Sequence, residues 1–353
     1  MFDPEGDVWY GIPEFDILAI NVTVPGFSPL FPDAHCTADG DVCQLTTGES
    51  EINAATTIAS LVRYPRFDLT TTYFMVAGIA GVNPEVATIN SVTFARYAVQ
   101  VALQYEISQF EIPTNYTSGY IPQGSYSADQ YPQSIYGTEV FELNQNLQHI
   151  AASFARQATL NDSADAVAYR ANYASASIYT AGASSPSVIE CDVATSDVYY
   201  SGVILSTAFG NFTSLVTNGS GVYCTTAQED NATLEALLRA AANKLVDFSR
   251  IIIMRTASDF DRPWPGEAAT TNLLYSNQGA FLPSIRNIYL AGIQVVTGIL
   301  DGWNGTFAAG VNATNYIGDI FGTLGGSPDF GPYTFNDNPV TPTKRSVVPR
   351  RLR

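Results

Sequence analysis

Four apolar runs in this chain give way to small or acidic polar residues, and those junctions hold its most chemically capable side chains. Residues 72–77 break into Gly78-Ile79-Ala80-Gly81, 187–194 into Thr195-Ser196-Asp197, 221–226 into Gln228-Glu229-Asp230, and 251–256 into Ser258-Asp259. A carboxyl group at the end of a buried strand can serve as a general acid or base, because burial moves its pKa toward neutrality. Each junction also has a plainer reading. Ser258-Asp259 and Ser196-Asp197 suit helix N-caps, Gln228-Glu229 suits compensation of a helix dipole, and the glycine run suits a tight turn. That run matches neither a Walker A loop nor a dinucleotide fingerprint, and no Gly-x-Ser-x-Gly elbow occurs. His35 and His149 are the only histidines. His35, in PDAHC, reads as structural or loop-bound, no Cys/His metal site is expected, and no cofactor is called for.

The elements that must position these residues alternate. Residues 52–62 have helical apolar spacing, and the best helix follows Glu229, with Leu234, Leu237, Leu238, Ala241 and Leu245 on one face and Asn231 or Thr233 as its cap. Further helices are expected at 139–158 and 285–300. Buried strands alternating with helices argue for an α/β domain with a mixed, largely parallel twisted sheet flanked by helices in three layers. Ligands bind such sheets at the carboxyl ends of the strands, where the four junctions lie. One domain is expected over 1–335, followed by a disordered basic tail over 336–353.

Charge and composition exclude two classes of function. The chain has 353 residues, with 33 acids against 16 bases. The last thirteen residues hold five of those bases and no acid, so the remainder carries 33 acids against 11 bases, a balance of −22. A body that acidic is repelled by a phosphate backbone, so no nucleic-acid partner is expected. The longest apolar run, 73–82, has ten residues, where a membrane-spanning helix needs about 20. Eight Asn-x-Ser/Thr sequons occur, at Asn21, Asn115, Asn161, Asn211, Asn218, Asn231, Asn304 and Asn312. The four cysteines allow three connectivities, of which Cys36–Cys43 with Cys191–Cys224 is preferred; four buried free thiols are the alternative. Sequons and cysteines together point to a secreted or cell-surface glycoprotein, although Met1 is followed at once by acidic residues rather than by a signal peptide.

Taken together, AGIAGVNP (77–84), ATSDVYYSG (194–202), AQEDNAT (227–233) and MRTASDFD (254–261) resemble the nucleoside phosphorylase and nucleosidase superfamily. Within it, residues 1 to about 335 resemble the fungal purine nucleoside permease family, on the stretches MFDPEGDVWYGIPEFD, SIYGTEVFELN, CTTAQEDNATLEALLR and NYIGDIFGTLGGSPDFGP. The resemblance implies a site. Asp259, with Ser258, corresponds to the acid that protonates purine N7, and Glu229 to the carboxylate that binds the ribose hydroxyls. Gln228 stands where the superfamily has a methionine under the sugar. Tyr199 is similar in position to the base-stacking aromatic. Gly78, Ile79, Ala80 and Gly81 resemble the loop facing sugar and nucleophile, with Ile79 where relatives often carry a hydroxyl. MFDPE is similar to the segment after the first nucleosidase strand, which makes Glu5 the candidate for activating water and places the first strand of the sheet before Met1.

The implied activity is cleavage of the N-glycosidic bond of a purine nucleoside (adenosine, inosine or guanosine) for extracellular purine salvage. Residues 1–62 contain no Lys or Arg, and the glycine run has none either. Arg63 and Arg96 remain as candidate phosphate ligands, and Arg255 and Arg262 flank Asp259, but a dianion with few cations nearby is poorly held, so water is favoured over phosphate as co-substrate. Retention of Asp259 with Glu229 favours catalysis over the alternative, a non-catalytic binding protein assisting nucleoside transport through a membrane transporter partner. A wall protein without a ligand is a third reading. Relatives of this kind often form homo-oligomers.

Overall fold

The computed structural model describes residues 2–331. The expected boundary near 335 and the basic tail at 336–353 lie outside the described residues, and the strand expected ahead of Met1 concerns residues outside this sequence. A short helix α1 (Asp3–Asp7) precedes a small antiparallel sheet of β1 (Ile20–Thr23), β2 (Asp33–Cys36) and β3 (Cys43–Leu45), then helix α2 (Glu51–Leu61). The next strands are β4 (Phe74–Val82), β5 (Val92–Ala95) and β6 (Tyr97–Gln100), a hairpin of β7 (Gln104–Glu106) and β8 (Tyr120–Pro122), and β9 (Val140–Glu142). Helices α3 (Gln145–Ala155) and α4 (Ala164–Arg170) lead to β10 (Val188–Glu190), β11 (Asp192–Thr195) and helix α5 (Val203–Val216). The chain continues through β12 (Tyr223–Ala227), α6 (Asp230–Ala242), β13 (Ile251–Phe260), α7 (Ala269–Leu274), α8 (Phe281–Asp301) and β14 (Gly318–Asp319).

Nine strands form one mixed sheet in the order β10-β5-β13-β4-β12-β11-β6-β9-β14. It is parallel at β4–β13, β6–β11–β12 and β5–β10, and antiparallel at β5–β13, β4–β12, β6–β9 and β9–β14. Successive residues of β13 explain why its sequence is apolar without alternation. Ile251 and Ile253 pack with α2 and α6 on one face, and Ile252 and Met254 pack with α3 and α8 on the other. A strand buried on both faces needs side chains that tolerate both, which makes this the middle of three layers.

Several local readings are corrected. Residues 78–81 are the second half of β4, not a turn, and Ser258-Asp259 lies inside β13 rather than after it. The run 187–194 is two strands with different neighbours, divided at Cys191. The helix expected over 139–158 begins only at Gln145. Asn144 caps it through its side chain, and Val140–Glu142 pairs as a strand. Helix α6 starts at Asp230, with Glu229 as its N-cap residue and no side-chain cap.

Both disulfides of the preferred pairing are present, Cys36–Cys43 and Cys191–Cys224. Beside the second, buried Asp192 accepts backbone N–H groups of Arg96, Tyr97 and Val222 at 3.0, 2.7 and 2.7 Å, tying β6 and the approach to β12 onto β11. Burial raises its pKa to about 6 against the pull of those donors. Seven of the eight sequon asparagines are exposed. Asn231 is buried, its amide spent on Thr195 and Thr138, which leaves no room for a glycan there. No helix of the described residues is long and apolar enough to cross a membrane. On the side of β4 away from β13, β12 pairs only at Gly81 and Val82. A largely apolar cavity of about 680 Å³ lies there, against Phe74, Met75, Val76 and Ala77.

Candidate active site

Strands β4, β12 and β13 end together, with β11 beside them, and a cavity of about 440 Å³ opens over those ends. That volume is in the range of about 300–1,000 Å³ typical of small-molecule sites. Its wall includes Glu5, Tyr199, Glu229, Arg255 and Asp259. Ile79, Ala80, Gly81, Gln228 and Ser258 also line it, so the candidate residues read from five separate segments converge. Gly78 is adjacent, covered by the Glu5 and Arg255 side chains.

Asp259 owes its position to an irregularity. The β13–β4 register shifts between Ala257 and Asp259, so that Asp259, not Ser258, stands opposite Gly81. A β-bulge re-aims the side chains that follow it, which is why such a feature recurs beside functional groups. Gly81 has to be small: a Cβ there would lie 2.6 Å from Thr226 Oγ1 and 3.4 Å from Asp259 Oδ2. The Ser258 hydroxyl donates to Asp259 Oδ1 at 2.7 Å, and the Tyr199 hydroxyl donates to Oδ2 at 2.9 Å. Burial lifts the Asp259 pKa above the usual carboxyl value; the two hydroxyls oppose that rise, and Asp261 adds to it.

Glu5 belongs to α1 and is 4% exposed. Its Oε1 accepts the Ile79 N–H at 2.7 Å and its Oε2 accepts the Phe2 N–H at 3.1 Å, so the carboxyl is docked on β4. Gly78 allows this approach, since a Cβ would fall 2.8 Å from Glu5 Oε1 and 2.6 Å from Arg255 Nη1. The glycines of β4 are therefore strand residues chosen for close approach. Burial raises the Glu5 pKa, with the Arg255 guanidinium and the Ile79 N–H pulling it down.

Arg255 is a feature that strand and motif reading left unassigned. It is 2% exposed on β13 and donates through Nη2 to Asp230 Oδ1 at 2.6 Å and to Glu229 Oε2 at 3.4 Å. Asp230 is fully buried, and burial raises its pKa against the attraction of Arg255. The signal was present in IIIMRTA, because an arginine inside a doubly buried strand requires a carboxylate partner. Glu229 also accepts the Ser50 N–H at 3.3 Å through Oε1, and Ser50 holds a left-handed φ of 80°. The segment entering α2 is thereby tied to the site.

Among the described residues lining the cavity, Arg255 is the single cation. Arg96 is paired with Glu142, Arg262 with Asp261 and Glu85, and Arg63 bonds the carbonyl of its own helix. His35 bonds Asn21, on β1, at 2.6 Å, outside the cavity. No metal-binding group of His, Cys, Asp and Glu occurs among the described residues. Chemically, the cavity offers one carboxyl with a raised pKa between two hydroxyls. It also offers two further carboxyls beside a guanidinium that is already engaged.

The model of the purine nucleoside permease family matches residues 1–312. The purine nucleoside permease of Candida albicans is 46% identical over 342 residues, 95% of this chain and 82% of the relative. The probable purine nucleoside permease of Schizosaccharomyces pombe is 38% identical over 312 residues, 86% of this chain and 88% of the relative. Among solved structures, a 5′-methylthioadenosine/S-adenosylhomocysteine nucleosidase from Colwellia psychrerythraea, in complex with adenine, is 13% identical. That match covers 84% of this chain and 91% of that one, with a TM-score of 0.49. Matched by the family model over residues 1–312, and by two fungal relatives over most of its length, the chain belongs to the purine nucleoside permease family.

Proposed function

We propose that this chain hydrolyses the N-glycosidic bond of purine nucleosides, with Asp259 as acid, Glu5 as base and Glu229 as the sugar ligand. The observation that carries the reading is one cavity joining a carboxyl of raised pKa to a second buried carboxyl, with no unengaged cation among the described residues of its wall. The base purine is supplied by the family name.

In the reaction, a water oxygen bonds to the anomeric carbon while the bond from that carbon to purine N9 breaks. The bonding pair leaves with the purine. Asp259 places its proton on N7, so the base departs neutral, and Glu5 takes a proton from the water. Departure of an unprotonated purine anion is the main barrier, and proton transfer by a positioned group contributes roughly 10²–10⁴-fold. Burial shifts the Asp259 pKa upward, toward the protonated acid; burial raises the Glu5 pKa too, and the Arg255 guanidinium opposes that rise in favour of the ionised base. Glu229, hydrogen-bonded to the sugar hydroxyls, orients the ribose and favours the positive charge that develops on the ribosyl ring. Inorganic phosphate would need a cation of its own, and Arg255 is held by Asp230 and Glu229.

The test is chromatography of free base released from adenosine, inosine and guanosine, with and without phosphate. Release at equal rates in both conditions is expected. Release that needs phosphate would make the chain a phosphorylase, and binding without release would favour the second reading, a nucleoside-binding protein that serves a separate transporter. The family name favours that second reading. Glu229→Ala should weaken adenosine binding by about tenfold and adenine binding far less, measured by calorimetry, since only the riboside presents hydroxyls to it. An equal effect on both ligands would remove Glu229 from the sugar subsite. Seven exposed sequons and two disulfides support a secreted or cell-surface location, where such cleavage would release base for uptake.

A further inference from the structure

Each oxygen of Asp259 has a hydroxyl within hydrogen-bond distance. The Ser258 hydroxyl reaches Oδ1 from the adjacent residue of the same strand, and its side chain is nearly buried. The Tyr199 hydroxyl reaches Oδ2 from the loop after β11, sixty residues away in sequence, and Tyr199 is 59% exposed. An ionised carboxylate accepts from both hydroxyls, whereas a carboxylic acid must turn one oxygen into a donor; the Ser258 hydroxyl also has the Ala80 carbonyl oxygen at 3.2 Å and can accept from Oδ1, so the Tyr199 contact is the one that bears on Oδ2. Of the two contacts, the one to Ser258 is built into the strand. The one to Tyr199 can open by movement of a single exposed side chain.

We propose that the Tyr199 hydroxyl and the purine compete for Asp259 Oδ2, so that Tyr199 is a positioning residue that occupies the acid until a base displaces it. The inference rests on the reading of Asp259 as the group that meets the purine. While it donates to Oδ2, the hydroxyl favours the ionised, acceptor form of Asp259, against the burial that raises its pKa. When a base enters, the hydroxyl leaves, Asp259 takes a proton from solvent, and Oδ2 presents it to the purine nitrogen. The ring of Tyr199 remains in the wall of the cavity, free to lie against the base. The other charged groups sharing the cavity are Glu5, Glu49, Glu229 and Arg255, and Asp261 lies just past the end of β13. Gly81 and Thr226, on the neighbouring strands, bring no charge to Asp259. Protonation of Asp259 is therefore the titration that the hydroxyl controls most directly. Donation to a carboxylate favours the ionised form, so losing the hydroxyl raises the Asp259 pKa.

Tyr199→Phe keeps the ring and deletes the hydroxyl. Calorimetric titration with free adenine across pH 5 to 9 reads the competition without any turnover. A hydrogen bond to a charged acceptor is strong enough that its removal should tighten adenine binding by roughly tenfold at neutral pH. The alkaline loss of binding should move to higher pH in the same variant. In the Asp259→Asn background, Tyr199→Phe should change adenine affinity little, because no titrating group remains for the hydroxyl to hold. Equal or weaker binding by Tyr199→Phe, with an unmoved pH midpoint, would overturn the proposal, since a packing role loses affinity at every pH alike. Adenine binding to neither protein would overturn it as well; binding to Tyr199→Phe alone would support it. Should the wild-type chain bind adenine and release none from nucleosides, hydrolysis would fail while the competition at Asp259 stood or fell on the adenine curves.

Discussion

Asp259→Asn is expected to abolish base release while leaving a folded protein that still binds adenine. The substitution removes a proton donor and little else. Asparagine retains one carbonyl oxygen for the Ser258 hydroxyl, and its amide can donate to the Tyr199 oxygen, so the local geometry has partners for both side chains. Loss of a positioned acid costs roughly 10²–10⁴ in rate, so single-turnover release from adenosine should fall by at least about a hundredfold. Adenine affinity should change by only a few-fold. Stability supplies an independent sign. Burial gives Asp259 a folded-state pKa above its ordinary value, so its contribution is full below the ordinary carboxyl pKa. As pH rises from there through the raised value, the unfolded chain ionises first and the folded state loses stability. An asparagine has no such loss. The variant should therefore melt at or above the wild-type temperature at pH 8 and match it more closely at pH 4. A variant that melts lower at pH 8 and loses adenine binding together with cleavage would mean that Asp259 holds the cavity in shape.

How far the sequence discloses this site depends on the range of the interactions involved. Buried strands were legible because Ile251–Ile253 and their counterparts carry no polar alternation, and a doubly covered sheet demands that. The convergence of Glu5, Tyr199, Glu229 and Asp259 on one cavity followed from strand ends meeting at one edge of the sheet. Strand limits were less legible. Glycine weakens strand propensity, so Gly78 and Gly81 read as a turn, whereas their small size admits Arg255, Glu5 and Asp259. The bulge that turns Asp259 toward Gly81 is invisible to a period-two pattern, because one extra residue leaves composition unchanged. The strand Val140–Glu142 was absorbed into a helix although Asn144 was available as a cap signal. Asp230 was overlooked because its partner Arg255 is 25 residues away, and nothing local requires that pairing.

That pairing sets the other large expected effect. Arg255→Met should destabilise the fold by about 3–5 kcal/mol, because removing one member of a buried ion pair leaves the other charge without compensation. Asp230 has no exposure, and Glu229 and Glu5 lie in the same field, so a single guanidinium serves three carboxyl groups. Methionine matches much of the arginine stem in volume, which isolates charge from packing. Folded stabilities are about 5–15 kcal/mol, so the loss is a large share of the total. The sign with pH follows from the two carboxyls whose pKa values are already raised. Arg255 lowers both Asp230 and Glu5, and without it burial pushes them further up. The folded variant then holds protons that the unfolded chain has released. Its deficit is largest above the new folded pKa values and shrinks as pH falls toward the ordinary carboxyl range. Thermal melts at pH 8 and pH 5 read this directly. An equal deficit at both would assign the cost to lost contacts instead of charge. The double variant Arg255→Met/Asp230→Leu should recover part of the stability lost by Arg255→Met, since it removes the orphaned carboxylate along with its partner. Base release should remain low in that double variant, because Glu5 would still lack the neighbour that favours its ionised form. Recovered stability without recovered turnover would separate the work Arg255 does for the fold from the work it does for Glu5.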